Sequence, residues 1–473
     1  MVFRSLASNL GTLVPTNKVI EMSSTLIKKY NIAAPRYTSY PTVPYWEEDK
    51  FDVEVYKADV KRAILKGNKG DGMGIYIHLP YCESLCTFCG CNKRITKNHK
   101  VEDPYISTVV KEWGMYAGLV EERPKINEIH LGGGTPTFFA PEKLGELIAG
   151  LKAHGDILED ADLGFEAHPN NTREEHLKVL FAHGFNRLSL GVQDFDPAVQ
   201  KAINRIQPFE SVKRVVDQAR EIGYNSVNFD LVYGLPKQHM PVMIDTITKV
   251  LKLMPDRIAF YSYAHVPWVS PAQRGYSEAD LPKADDKRAL YEKGRDMFLE
   301  AGYVEIGMDH FALPTDALSV AMDEGKLHRN FMGYTAKHTS LLVGLGVSAI
   351  GDSWNSFAQN EKVVEDYKDR VNADEFPIFR GHILSEEDLL VRKAILDLMC
   401  TYDLDQASID SFMNSDELKE RLKEPMADDL LEISDEGISV KESGKPFIRN
   451  ICLAFDKRYW RKKPESKIFS SSI

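Results

Sequence analysis

The chain has 473 residues, 43% hydrophobic and 27% charged, an ordinary balance for a globular protein of two or three domains. Its 59 basic and 70 acidic side chains leave a net charge of −11, which argues against bulk binding of nucleic-acid phosphate. No apolar run reaches the ~18 residues of a membrane-spanning helix, and six cysteines in so long a chain do not make a secreted disulfide framework.

Residues 1–21 hold Arg4, Lys18 and Glu21 but no apolar core, so a secretory signal is not expected. Met22 opens Ser-Ser-Thr-Leu-Ile-Lys-Lys-Tyr and is expected to be the true start, after a poorly ordered upstream extension. Short β-rich runs then alternate with amphipathic stretches. Strands are predicted at Gly74–Leu79, Glu128–Leu131, Asp162–Glu166, Asn186–Leu190, Ser226–Val232 and Arg257–Tyr263. Helices are predicted near Pro104–Val120, Pro141–Ala153, Arg173–Ala182, Phe209–Ile222, Pro241–Leu253 and Lys283–Ala301. The alternation predicts an α/β fold with a parallel sheet. Periodicity alone does not separate a barrel from a doubly wound sheet.

Beyond about Asn360 the alternation stops. Ser385–Met399 reads as an amphipathic helix, and Leu431–Val440 as two short strands around Asp435-Glu-Gly437. The arrangement is winged-helix-like. Yet residues 361–473 carry 18 basic and 25 acidic side chains, 18 − 25 = −7, and lack the footprint of a DNA reader. A lid or wall over a site is the better expectation.

The most specific signal is a loop holding Cys82, Cys86 and Cys89 as CxxxCxxC, with Cys91 two residues on. Thiolates are the usual ligands of iron–sulfur clusters, and a four-iron cluster usually takes four protein ligands. Three would leave one iron open to a small molecule. Structural zinc sites usually show a second CxxC pair, whereas here only the isolated Cys400 and Cys452 remain. The motifs also share a placement. The cysteine loop follows the first predicted strand and Gly132–Gly134 the second; Glu166 ends the third, Gln193 follows the fourth, and Asp230 lies near the end of the fifth. In parallel barrels functional groups gather at the carboxyl ends of strands, so these five should converge on one mouth.

CxxxCxxC with Phe88 before its third cysteine resembles the radical S-adenosylmethionine (SAM) superfamily. The longer CxxxCxxCxC, followed by Asn92-Lys93, resembles the narrower family of oxygen-independent coproporphyrinogen III oxidases. So do Pro35-Arg-Tyr-Thr-Ser-Tyr-Pro-Thr42, Gly132-Gly-Gly-Thr-Pro-Thr137, Gly191-Val-Gln-Asp-Phe195, Tyr233-Gly-Leu-Pro236, Gly307-Met-Asp-His-Phe311 and His328-Arg-Asn-Phe331. The likeness runs from about Ile27 to Phe455. It implies a partial (β/α)6 radical SAM barrel over residues 51–360. A mainly helical, winged-helix-like C-terminal domain would span 361–473, and residues 1–50 would hold the N-terminal extension and a segment covering the substrate.

The resemblance also implies a [4Fe–4S] cluster on Cys82, Cys86 and Cys89, with SAM on the fourth iron. The reduced cluster would split SAM, and the 5′-deoxyadenosyl radical would take hydrogen from a propionate of coproporphyrinogen III. Carbon dioxide then leaves, and two propionates become the vinyls of protoporphyrinogen IX. Family positions for SAM fall on Tyr76, Phe88, Gly133 and Glu166. Those of a second SAM-sized pocket fall on Gly134, Thr135, Gln193, Arg205, Asp230, Ala264 and Ile350. Glycines let backbone approach the cofactor closely. Arg205 suits a carboxylate and Asp230 an ammonium or ribose hydroxyl, the bland alternative being a structural Arg–Asp pair. Cys91 is either a small buried hydrophobe or a redox or hydrogen-atom donor beside the cluster. Substrate carboxylates need cations, for which Arg36 and Arg329 are the candidates, with Lys93, Arg94 and His328 behind them. A flavodoxin- or ferredoxin-type electron donor, a separate electron acceptor, a monomeric chain and a cytoplasmic location complete the expectation. Two other functions compete with it: a haem-binding chaperone or carrier on the same barrel, and another radical SAM enzyme acting on tetrapyrroles.

Overall fold

The computed structural model describes residues 24–268, 270–464 and 469; Met22 and the segment before it lie outside the described residues. Six parallel strands run side by side in chain order: β1 (Met73–Leu79), β2 (Lys125–Gly133), β3 (Asp156–Ala167), β4 (Arg187–Gln193), β5 (Ser226–Tyr233) and β6 (Arg257–Ser262). After these strands, in the same order, come the helices α1 (Glu102–Ala117), α2 (Pro141–His154), α3 (Glu174–Ala182), α4 (Phe209–Ile222), α5 (Met240–Leu253) and α6 (Ala284–Glu300). Strand β1 reads MGIYIHL because Ile75, Ile77 and Leu79 are fully buried, as central parallel strands require. Helix α4 buries Val212, Val215, Val216 and Ala219, one stripe of a 3.6-residue period. It stops at Gly223, whose φ of +117° suits glycine and lets its N–H reach the Ala219 carbonyl.

The sheet grows outward from these six. Beyond β6 lie β7 (Val304–Gly307) and β8 (His310–Ala312), both antiparallel additions. On the other edge β9 (Leu342–Leu345) pairs parallel with β1, followed by β10 (Ile350–Asp352), β11 (Ser356–Asn360) and β12 (Ile378–Ile383). The order β12-β11-β10-β9-β1-β2-β3-β4-β5-β6-β8-β7 is linear, so the barrel stays open. The expected boundary at residue 360 falls inside this sheet, since β12 pairs with β11 from Ser356↔Ile383 to Asn360↔Ile378. Strands β10 and β11 are joined by a short turn, and the helix Val364–Asn372 joins β11 to an antiparallel β12, so the parallel strand–helix alternation ends before the sheet does.

After the sheet, Ser385 caps α7 (Glu386–Thr401) through a reciprocal box with Asp388. Val391, Ile395, Leu398, Leu404, Leu422, Ile451 and Phe455 build a separate core there, over the expected hairpin Leu431–Ser434 and Gly437–Val440. Tyr37 and Tyr40 from the N-terminal segment belong to that core. None of the described helices is long and apolar enough to cross a membrane.

Candidate active site

The chain leaves β1 through Pro80 into the cysteine loop. The loop's two stems are zipped together, Tyr81–Cys82 pairing parallel with Arg94–Ile95. Lys93 closes it from within, its Nζ donating to the carbonyls of Cys89 (3.0 Å) and Cys91 (3.3 Å). His78 ties the far stem to β1. Its Nε2 lies 2.9 Å from the Asn92 carbonyl and its Nδ1 3.1 Å from the Tyr76 hydroxyl. A carbonyl only accepts, so Nε2 carries the proton and Nδ1 accepts from Tyr76. Burial lowers the His78 pKa and keeps the ring neutral.

Cys82, Cys86, Cys89 and Cys91 line one cavity of about 170 Å³, with Phe88, Gly133, Gly134, Thr135, Glu166, Gln193, Arg205 and Asp230. The thiols have different neighbours. Cys82 sits 3.3 Å from Thr135 Oγ1, and burial raises its pKa to about 11. Cys86 has Arg205 Nη1 at 3.6 Å. Interaction with the Cys91 side chain lowers the Cys89 pKa to about 6 and raises that of Cys91. Among the described residues no three His, Cys, Asp or Glu side chains are drawn into a single-ion cage. A cubane places each thiolate on a different iron and needs them spread around it. Three thiols lining one cavity from different turns of the loop, together with glycine backbone, fit that group, and an all-thiol set is the soft ligation such clusters select.

The opposite wall needs its glycines. Gly133 has φ of +111°, and a Cβ on Gly134 would meet the Pro80 carbonyl at 2.5 Å. The Gly133 N–H donates to Glu166 Oε2 at 3.2 Å. Gln193 closes β4 with φ of +65° at a shift in the β4–β5 register, a strained conformation for glutamine. Asp230 accepts from Asn228 Nδ2 (2.9 Å) and Ser189 Oγ (3.2 Å). Burial, then the Glu166 charge, raises the Asp230 pKa to about 6. Arg205 donates to the Gly191 carbonyl (2.6 Å) and Gln207 Oε1 (3.0 Å), so the recorded partners of Arg205 and Asp230 do not form the structural pair considered as the alternative.

Ala264 lies in an adjoining cavity of about 350 Å³ that shares Phe88, Gln193 and Asp230. Gln273 bridges the two, its Nε2 donating to the carbonyls of Ala264 (3.2 Å) and Phe88 (3.4 Å). No motif marks Gln273, and only its burial within the turn distinguishes it. Tyr76 stands behind the cavity wall, stacked on His130 with ring centroids 6.1 Å apart. Ile350 opens β10 and lines neither cavity; it lies against Gly344, the register partner of Tyr76.

The cationic candidates divide. Arg36 is paired with Asp309, which also receives His310 Nδ1 at 2.9 Å. Burial opposes ionisation of Asp309, but Arg36 and His310 hold its pKa below the usual carboxylate range. Arg329 is 5% exposed and its guanidinium stacks 4.6 Å from the Tyr334 ring centroid. Its Nε and Nη1 have no hydrogen-bond partner among the described residues. Tyr261 lines the second cavity and lies under Arg36, whose guanidinium is 5.9 Å from its ring centroid, so it stands between that cavity and this cluster. Lys93 is a loop brace, Arg94 faces Glu365 at 3.2 Å, and His328 lines a different cavity beside Asn127 and Asp160.

An open parallel barrel with three thiols and a glycine cradle at its mouth defines a class, and the Radical SAM superfamily profile matches residues 76–249. Among curated relatives, an oxygen-independent coproporphyrinogen III oxidase of Escherichia coli is 39% identical over 460 residues, 96% of this chain and 99% of that one. One from Synechocystis is 37% identical, covering 98% of this chain and 100% of that one. The solved coproporphyrinogen III oxidase of E. coli, described as a radical SAM enzyme, superposes with a TM-score of 0.85 at 37% identity, over 92% of this chain and 99% of that one. The chain belongs to the family of oxygen-independent coproporphyrinogen III oxidases.

Proposed function

We propose that this protein converts two propionates of coproporphyrinogen III to vinyls without oxygen, giving protoporphyrinogen IX. The observation that carries this reading is the convergence of Cys82, Cys86 and Cys89 with Gly133, Gly134, Glu166, Arg205 and Asp230 on one cavity. When bound, a [4Fe–4S] cluster and SAM supply a carbon radical that removes hydrogen from the propionate side chain. Cys82, Cys86 and Cys89 hold the cluster. Gly133 and Glu166 bind the amino-acid end of SAM, Phe88 offers its backbone to the adenine side, and Tyr76 backs that pocket.

Gly134, Thr135, Gln193, Arg205, Asp230 and Ala264 frame the second pocket, and Ile350 stands outside both cavities, against Gly344 beside Tyr76. Cys91 lines the same cavity as the three cluster cysteines, where it supplies or stores a hydrogen atom. Arg329, buried with two donors unpaired, anchors a substrate carboxylate, and Arg36 joins it by exchanging Asp309 for substrate. The N-terminal segment covers the substrate from the side of the C-terminal unit, and that unit begins at Ser385. A flavodoxin- or ferredoxin-type protein supplies electrons, a separate acceptor removes the leftover one, and the chain works as a cytoplasmic monomer.

The test is anaerobic turnover of reconstituted protein with SAM, reductant and coproporphyrinogen III. Protoporphyrinogen IX, carbon dioxide and 5′-deoxyadenosine are expected together. Intact SAM with tight haem binding would favour a carrier, and cleaved SAM with unchanged substrate another tetrapyrrole.

A further inference from the structure

The proposed function needs an external electron, and the surface around the cysteine loop differs from the rest of the molecule in charge. Three large apolar side chains stand exposed there: Leu85 at 37%, Ile95 at 40% and Ile206 at 57%. They are neighbours through the backbone. Ile95 is the register partner of Cys82. Leu85 gives its carbonyl to Asn204 Nδ2 at 2.8 Å, two residues before Ile206. Thr87 binds the carbonyls of Ile203 (3.0 Å) and Ala202 (3.2 Å), at the end of the short helix Pro197–Ala202. The apolar residues therefore flank the thiols on the solvent side.

Cations ring this patch. Residues 82–101 hold Lys93, Arg94, Lys97 and Lys100 against Glu83 alone, 4 − 1 = +3, in a chain whose net charge is −11. Lys97 and Lys100 are exposed, and so is Lys201 on the helix that receives Thr87. The acids at the strip are already engaged, Glu83 and Glu102 with His99 at 3.6 and 2.6 Å, Asp103 with Lys143 at 2.5 Å and Glu365 with Arg94 at 3.2 Å. Lysines around a small apolar centre steer an acidic partner toward it.

We infer that this face is the docking site of an acidic one-electron carrier protein, seated on Leu85, Ile95 and Ile206 and oriented by Lys97, Lys100 and Lys201. The inference rests on the proposed function, and it names where that reaction's electron enters. One electron leaves the carrier's reduced cofactor and arrives on the cluster held by Cys82, Cys86 and Cys89; no bond is made or broken. The site is built for transient contact, because small, charge-ringed interfaces favour fast association over tight binding.

The test uses full-length reconstituted protein and an acidic flavodoxin. Binding is followed by calorimetry and cluster reduction by stopped-flow absorbance, with dithionite as the small-molecule control. The triple variant Lys97→Glu, Lys100→Glu, Lys201→Glu is expected to weaken flavodoxin binding about tenfold or more at low salt. It should slow reduction by flavodoxin in step, while leaving iron content and reduction by dithionite unchanged. The difference should shrink as salt rises and the Debye length falls to about 3 Å near 1 M. Reversal of Lys61, Lys69 and Lys125, near the amino ends of the strands, should leave binding as it was. Equal binding by wild type and the first triple variant, equal loss in both variants, or no binding by wild type would overturn the inference. If the first variant loses iron, the same comparison on apoprotein binding decides it. None of these readouts needs a porphyrin product, so failure of the decarboxylation reading would show separately.

Discussion

The mouth of the barrel and the wall that closes over it are held by bonds of different reach. At the mouth the ties that fix the cysteine loop to the strand ends are local or run between neighbouring strands, Arg94 N to the Pro80 carbonyl at 2.8 Å, Gly134 N to the Leu79 carbonyl at 2.8 Å and Lys93 to Cys89 at 3.0 Å, with longer-range side chains such as Gln273 and Asn204 added to them. The wall is sewn from opposite ends of the chain. Arg449 Nε reaches the Pro35 carbonyl at 3.0 Å across 414 residues, and the Tyr37 hydroxyl reaches Asp456 at 3.1 Å across 419. The mouth therefore tolerates no change in backbone shape, whereas the wall tolerates small changes and fails when a distant anchor is lost.

Substitutions at the mouth should have the largest effects. Cys86→Ser is expected to abolish turnover and SAM cleavage, with iron content reduced and the circular dichroism of the fold retained; full activity would remove the assignment of the loop. Gly134→Ala comes next. Its Cβ would stand 2.5 Å from the Pro80 carbonyl and push the cysteine loop away from the glycine wall. A displacement of about 1 Å costs about a hundredfold in rate, so turnover should fall by that order while the cluster stays bound, as electron paramagnetic resonance would report.

Arg329→Met separates binding from folding. A buried guanidinium with two orphan donors burdens the folded chain until an anion arrives. Replacing it with an apolar side chain of similar length should leave Tm unchanged or raise it. The KM for coproporphyrinogen III should rise about ten- to a hundredfold, the loss of one charge-assisted contact. A fall in Tm with unchanged KM would make Arg329 a structural residue stacked on Tyr334.

This contrast also explains what the sequence disclosed. The six parallel strands and their helices were legible because each is one contiguous hydrophobic period bounded by turn residues, and Phe209–Ile222 falls on the same residues in the structure. Cys82, Cys86, Cys89 and the glycine run were legible because a loop's geometry is written in adjacent residues. Gln273 was not, since a lone glutamine in a turn carries no period or spacing. Nor was the continuation of the sheet through β12, because Ile378–Ile383 is recruited by pairing with β11 rather than by its own pattern. The Arg36–Asp309 pair joins residues 273 apart, and no local signal marks such a contact.

The smallest expected change in turnover belongs to the wall, where Arg458→Ala tests the long-range stitching. Arg458 forks onto Asp388 with two bonds of 2.7 Å and reaches Glu47 at 3.1 Å, joining α7 to the N-terminal segment. Asp388 is buried, so losing its partner should cost about 2–4 kcal/mol of stability, with activity falling less than tenfold. The pH dependence identifies the cause. Burial opposes ionisation of Asp388, but Arg458 and His382 bring its folded pKa below the unfolded value near 4. Its stabilisation is present above about pH 4 and is lost as pH falls through the folded pKa. The gap between wild type and Arg458→Ala in urea unfolding should therefore be full at pH 7 and narrow below about pH 4. Asp456 works in the opposite sense, its pKa raised to about 6 by burial, so its contribution is present in acid and fades as pH rises through 6. A gap that stays constant into acid would move the anchor from Asp388 to apolar packing of the Arg458 stem against the N-terminal segment.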